Sequence, residues 1–276
     1  MALRAVAAAR FANRMSLMAH AGPSGLVPDL IDAWVAAGLL FAGIVRLDPL
    51  TPTDTHFVSL TSLGARELSL ATGQTVQGIS SARLRRSGRK LAHDVLVGEV
   101  VLAALTLGRD RGIDLVGVEA DDTKLTSVGV VPGPPPVRVP LRADALVMTR
   151  AERGPSALLV EVDRGTISRD RMQEKYAGYL AWHEARGPER DWNLRALRVL
   201  TLVPNASRLN ALHDAAFAAN RGRRSGFLLF ALQRDVAASH ADRMLEPIAR
   251  SLGNDNHVPI FPSRATARID AHHPAS

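Results

Sequence analysis

The apolar positions of the first 75 residues change period twice. Ala2 to His20 is dense in Ala, Leu, Met and Arg, all good helix formers, and the Ala21-Gly22-Pro23 break ends the pattern, which predicts a first helix. Ser24 is placed to cap a second helix in which Leu30, Ile31, Trp34 and Val35 recur at helical spacing, with Gly38 as its stop. Leu39 to Arg46 reads as a strand, Asp48 to Asp54 with its two prolines as a loop, and His56 to Leu60 as a second strand. Thr61 or Ser62 then caps a further helix. Helices, a two-stranded wing and another helix predict a winged helix-turn-helix domain over residues 1–75.

A basic linker is expected at 76–90, where glycines accompany the run Arg83-Leu-Arg-Arg-Ser-Gly-Arg-Lys90. Leu91 to Leu107 is apolar on every side of a helical wheel, which predicts a buried helix, and within it stand His93, Asp94 and Glu99. Beyond it the pattern alternates between periods of two and 3.6. Strands are expected near 113–119, 142–149, 156–163, 197–203 and 227–232, helices at 168–185, 206–219 and 240–252, and a proline-rich loop at 132–136. This is an α/β domain over 91–255 with a mixed central sheet, α+β overall when the helical N-terminal domain is included, and 256–276 lacks any period and reads as a tail. No internal repeat is visible.

Composition narrows the classes. With 46% hydrophobic and 22% charged residues in 276, the chain fits two globular domains, and no apolar run approaches the roughly 18 residues of a membrane helix. A soluble protein with no membrane partner is expected. The absence of cysteine excludes disulfides, thiolate-bound zinc, iron-sulfur clusters and a thiol nucleophile. The first 28 residues hold Arg4, Arg10 and Arg14 and no acid, but lack an apolar segment with a small-residue cleavage site, so they read as a mature helix of a cytoplasmic protein. The net charge of +7 and a pI near 10.8 favour a polyanionic partner, although the cations are almost all Arg and the Ala-rich composition offers a compositional explanation of the same bias.

One constellation carries candidate chemistry. Residues two apart in a strand share a face, so Glu161 and Asp163 project together from Ala157-Leu-Leu-Val-Glu-Val-Asp163. The short connection 150–155 makes a hairpin that brings Asp144 of the preceding strand beside Glu161. Three carboxylates of this kind suit Mg²⁺ or Mn²⁺, with Asp144 and Glu161 as ligands. In the next helix Met172, Tyr176, Tyr179, Leu180 and His183 form an apolar stripe, and Lys175 lies at its margin one turn before Tyr179. The alternative is structural: Asp163 ends its strand and caps the Gly165-Thr166 turn, and Lys175 makes an ordinary ion pair. Glu99 needs a partner in either case, because burial of a lone carboxylate is costly.

Several stretches resemble the replication-relaxation family of plasmid and mobile-element proteins: Leu60-Thr-Ser-Leu-Gly-Ala-Arg-Glu-Leu68, Ala92-His-Asp-Val-Leu-Val-Gly-Glu-Val100, Arg142-Ala-Asp-Ala145, and above all Leu159-Val-Glu-Val-Asp-Arg-Gly-Thr166 with Lys175-Tyr-Ala-Gly-Tyr179. The resemblance runs over roughly 1–235. It implies a winged helix followed by a domain similar to the PD-(D/E)XK nuclease fold, whose order of helix, hairpin, helix and strand matches that read from 91–204. It further implies that Asp144 corresponds to the Asp of the nuclease pattern, Glu161 to its (D/E), and Glu99 to the acid supplied by the first helix. Asp163 occupies the place of the pattern's lysine, which leaves Lys175, with Tyr179 in support, as the cation available to the site. Catalysis and a fold kept for binding both remain open on this pattern.

The expected reading helix, Leu26 to Gly38, carries Asp29 and Asp32 and no cation, and the wing has none either, which argues against base reading and leaves a dimer or partner interface as an alternative. Phosphate contacts fall instead to Arg83, Arg85, Arg86, Arg89 and Lys90 in the linker and to Arg221, Arg223 and Arg224, unless both are simply solvated segments. Three functions follow as expectations. The first is a DNA-associated protein of a mobile element, working with other replication or transfer proteins. The second is a Mg²⁺-dependent endonuclease, and the third an interaction scaffold.

Overall fold

Phe11 breaks the first expected helix. In the computed structural model, which describes residues 1–22, 28–47, 54–80, 87–120, 126–151, 154–254 and 256–261, helix α1 (Ala2–Ala9) ends where Arg10 adopts a φ of +63°. A short strand β1 (Ala12–Asn13) follows, and the Asn13 side chain accepts the Met15 amide at 2.9 Å, capping α2 (Arg14–Ala21). Helix propensity favours one continuous helix here. Burial decides otherwise: Phe11 is 1% exposed and packs its ring, tilted by 60°, at 5.7 Å from that of Phe57, a contact that a continuous helix would not deliver.

The first of two compact units spans residues 1–125, 143–156 and 237–241. After α2 come α3 (Pro28–Ala36), the hairpin β2 (Leu40–Arg46) and β3 (Asp54–Leu60), and α4 (Ser62–Thr72). Strands β1, β3 and β2 form an antiparallel sheet in that order, with Ala12 opposite Val58 and Leu40 opposite Leu60. Thr61 caps α4 as expected, accepting the Gly64 amide at 3.0 Å. The expected cap Ser24 and most of the hairpin tip, 48–53, lie outside the described residues.

Helix α5 (Gly88–Arg111) is the buried apolar helix the pattern called for, and it groups with this first unit. Ala92 and Val95 join Phe11, Val45, Phe57 and Ile79 in one core, and Gly98 lets the backbone at Phe11 approach so closely that a Cβ there would lie 1.8 Å from the Phe11 carbonyl oxygen. By length and composition α5 is able to cross a membrane, with mean hydropathy 1.6 in its best window, but 72% of that window is buried within the protein. Strands β4 (Leu115–Glu119) and β7 (Ala145–Ala151) pair antiparallel, Val118 opposite Val147.

The second unit holds residues 126–142, 157–236 and 242–276. Its first element is a ribbon that the alternating pattern did not announce, β5 (Thr126–Val131) and β6 (Val137–Arg142), joined by the proline-rich turn. Strand β8 (Gly154–Val162) leads to α6 (Arg169–Glu184), α7 (Gly187–Trp192), β9 (Ala196–Val203), α8 (Ala206–Ala219) and β10 (Ser225–Leu232). Ser168 caps α6 and Asn205 caps α8. Strands β8, β9, β10, β11 (Ala249–Leu252) and β12 (His257–Val258) are neighbours in that order, β9 and β10 parallel and the last pairs antiparallel. The sheet is therefore mixed and the fold α/β, as expected. The helix expected at 240–252 is instead a 3₁₀ segment (Ala238–Leu245) followed by β11, because Pro247 cannot continue a helix and Arg250 pairs with Phe230.

Candidate functional site

Strand β8 is apolar until its end, where Glu161 and Asp163 sit 4% and 2% exposed, so both carboxylates need partners of opposite charge. Glu161 takes two from α6. Lys175 Nζ reaches its Oε2 at 2.5 Å and also donates to the Arg142 carbonyl at 3.0 Å, while the Tyr179 hydroxyl donates to Oε1. Lys175 and Tyr179 are four apart and therefore stacked on one helix face, which explains why the motif spaces them so. Between them Tyr176 turns into the core, its hydroxyl on Thr201 Oγ1 at 3.2 Å, and burial holds that hydroxyl's pKa far above its ordinary value.

Asp163 is clasped from α8. Arg208 binds it through two nitrogens, Nε to Oδ2 at 2.6 Å and Nη2 to Oδ1 at 3.1 Å, and also reaches the Ile167 carbonyl at 2.6 Å. The Gly165 amide donates to Oδ2 at 3.1 Å, and Gln233 Nε2 donates to the Asp163 carbonyl at 2.8 Å. The Asp163 amide itself donates to the Leu202 carbonyl at 2.9 Å, which sets the C-terminal ends of β8 and β9 side by side. Asp163 thus organises the 163–168 turn, as in the structural alternative, and its charge is matched by a bidentate guanidinium.

Asp144 belongs to the first unit, just ahead of β7, and meets His93 of α5, with Nε2 at 3.2 Å from Oδ2. The other ring nitrogen lies 3.4 Å from Asp94 Oδ1, so both nitrogens face carboxylates and the ring is held as the imidazolium. Burial works against that charge, but the hydrogen bonds and charges of Asp144 and Asp94 more than reverse it and lift the pKa to about 10. Glu99 stands six residues from His93, about 240° around the helix, and does not join this group. It accepts Ser16 Oγ at 2.6 Å, and its burial outweighs the hydrogen bonds that favour the carboxylate, raising its pKa to about 7.

Of the six candidate residues, Glu161, Asp163, Lys175 and Tyr179 belong to the second unit and Asp144 and Glu99 to the first, where Asp144 meets His93 and Glu99 meets Ser16. Among the described residues no group of three or more His, Asp or Glu side chains is arranged to hold a metal ion. Each oxygen of Glu161 accepts a hydrogen bond, one from Lys175 and one from Tyr179, so a divalent ion there competes with the lysine's charge. Of the basic candidates, Arg89 and Lys90 are exposed in the first turn of α5, and Arg221, Arg223 and Arg224 are exposed between α8 and β10, Arg223 paired with Glu184 at 2.8 Å. Arg83, Arg85 and Arg86 lie outside the described residues.

Arg208 was not anticipated, yet a signal was present. It is the third residue of a helix capped by Asn205 immediately after β9, and a cation so placed beside a parallel neighbour's C-terminal end meets whatever acid that strand ends on.

The fold and this site define a class: a mixed α/β protein in which the acids at a strand end are neutralised by cations from α6 and α8. The replication-relaxation family model matches residues 44–193, more than half of the chain, and the protein belongs to that family. The matched span contains every motif from Leu60 to Tyr179, and membership suggests a replication-related function of mobile elements. No curated protein and no solved structure matches the chain.

Proposed function

We propose that the protein is a DNA-associated factor of mobile-element replication or transfer, in which a nuclease-like domain binds DNA rather than cutting it. The observation that carries the binding-only part is the internal neutralisation of the acids. Glu161 is matched by Lys175 and Tyr179, and Asp163 by Arg208, so the carboxylates that a nuclease would offer to a metal are engaged by the protein itself. Family membership and the net charge of +7 support the DNA partner. The order α1, β1, α2, α3, β2, β3 with the sheet order β1-β3-β2 supports a winged-helix reading of the N-terminal region. Its α3 is a poor base reader, for it has no cation and Asp32 is bound by Arg14 through two hydrogen bonds of 2.8 Å. Backbone contacts by Arg89, Lys90, Arg221 and Arg224 fit better.

The test is binding of the full chain to a labelled duplex at low and moderate salt. Affinity that falls linearly on a log–log plot against salt is expected, and Arg221→Ala with Arg224→Ala should flatten the slope by about two. Absence of binding at low salt defeats the proposal.

A second reading, a Mg²⁺-dependent endonuclease, is favoured by one contact: Lys175 sits on Glu161, as a migrated lysine of the nuclease pattern would. Incubation of supercoiled and linear DNA with Mg²⁺ or Mn²⁺ separates the two. Cleavage abolished by Glu161→Gln would replace the first reading with the second.

A further inference from the structure

The β5–β6 ribbon has two unlike faces. Gly129, Val139 and Leu141 face α6: a Cβ on Gly129 would lie 2.0 Å from the Gly178 carbonyl oxygen, and one on Gly178 would lie 2.7 Å from Val139 Cγ1 and 3.0 Å from Leu141 Cδ2. The ribbon's backbone therefore rests directly on the helix through two glycines. Parity sends the intervening residues to the opposite face. Register confirms their grouping, with Val128 opposite Pro140 and Val130 opposite Arg138. Val128 and Val130 are 37% and 47% exposed, and Arg138, Pro140 and Arg142 are exposed beside them.

This outward face is apolar and cationic, and neither strand contains an acid. Its base is firmly held. Lys175 donates to the Arg142 carbonyl at 3.0 Å, and Ser127 Oγ donates at 2.8 Å to Asp191, which also receives Trp182 Nε1 at 2.8 Å. Arg171 lies exposed one helical turn before Lys175 on α6. A two-stranded ribbon with exposed arginines four residues apart on its outward face, about 13 Å along the strand, has the dimensions of an insert for a duplex groove.

We infer that the β5–β6 ribbon is a DNA-contacting element that enters the major groove of duplex DNA, with Arg138 and Arg142 on phosphates or base edges and Val128, Val130 and Pro140 against the groove floor. The inference rests on the DNA-associated reading above and adds the element that engages the duplex. The charge of the face selects a polyanion. The ribbon's width selects the DNA major groove over the deep, narrow major groove of duplex RNA.

The experiment measures binding of the full-length protein to a 30-base-pair DNA duplex by fluorescence anisotropy across a salt series, with the Arg138→Ala/Arg142→Ala variant beside the wild type. Both residues are exposed, and a thermal melt matching that of the wild type verifies folding. The expected result is an affinity loss of about tenfold or more and a log–log salt slope reduced by about two. An unlabelled RNA duplex of the same sequence is expected to compete at least about tenfold more weakly than DNA. If the wild type binds but the ribbon variant keeps its affinity and slope, the ribbon inference is overturned while the DNA-associated reading stands. If RNA competes equally, entry into the DNA major groove is overturned. If the wild type binds no DNA at low salt, both fall together.

Discussion

Glu161 and Lys175 show what a buried pair demands of its neighbours. Lys175→Met removes the cation from a carboxylate that is 4% exposed, and equilibrium unfolding in urea should register a loss of roughly 3–5 kcal/mol. The double change Glu161→Gln with Lys175→Met should recover most of that loss, since neither charge then remains buried. A single-variant cost below about 1 kcal/mol would show that the pair does not hold the site together. Glu99 makes a different prediction, in pH. Its pKa is about 7 in the folded protein against an ordinary value of 4.5, so the native state holds the proton more tightly. Its contribution is fully present below pH 4.5 and is lost as pH rises through 7, a decline of roughly 3 kcal/mol across that window. Glu99→Gln should remove this part of the stability–pH profile, and an unchanged profile would place the titration elsewhere. His93 acts in the same direction at higher pH, its stabilising charge being lost as pH rises through about 10.

At the scale of elements, close approach through glycine is the recurring device. Gly98 admits the Phe11 backbone to α5, and Gly129 with Gly178 admits the ribbon to α6. Gly129→Ala forces a Cβ to within 2.0 Å of a backbone oxygen, which cannot rotate away, and should destabilise by about 1–3 kcal/mol while accelerating amide exchange along β5. Gly178→Ala meets Val139 at Cγ1 and at Cβ, 2.7 and 2.8 Å away, and because that Cβ is fixed to the ribbon's backbone it should destabilise as well, offset in part by the better helix propensity of alanine. A cost below about 0.5 kcal/mol for Gly129→Ala would argue that the ribbon is not seated as described. The motif Lys175-Tyr-Ala-Gly-Tyr179 can then be read position by position: Lys175 and Tyr179 on Glu161, Tyr176 on Thr201, and Gly178 under the ribbon. The stripe of Tyr176, Tyr179 and Met172 was visible in the sequence as a core-facing pattern. The role of Gly178 was not, because the pattern along one helix carries no record of what lies on top of it.

For the whole molecule, the basic balance of the chain, with 34 Lys and Arg against 27 Asp and Glu, predicts an electrostatic contribution to DNA binding that raising salt to about 1 M should largely abolish. Retention of affinity at that concentration would show that apolar contacts dominate. Much of the fold was legible. Helix α8 falls at 206–219 as its periodicity required, α6 follows its Ser168 cap, and β8 to β10 follow the apolar runs. These are local properties: a cap, a period and a breaker act within a few residues of themselves. Where a distant partner competed, local signals failed. Phe11 broke a helix that propensity favoured, and β11 took residues that looked helical despite Pro247.

The sequence by itself determined that this chain is an acid-bearing α/β protein with a helical N-terminal region, a family motif around Glu161 and Tyr179, and an excess of arginine. Those follow from side-chain periodicity and residue chemistry, which need no neighbours to be recognised. Only the tertiary structure decided who neutralises whom: Lys175 and Tyr179 on Glu161, Arg208 on Asp163, His93 between Asp144 and Asp94. The physical reason is that a buried charge is settled by the nearest opposite charge in space, and residues brought together across separate elements, from 14 positions apart for Lys175 and Glu161 to 45 for Arg208 and Asp163, share no pattern along the chain.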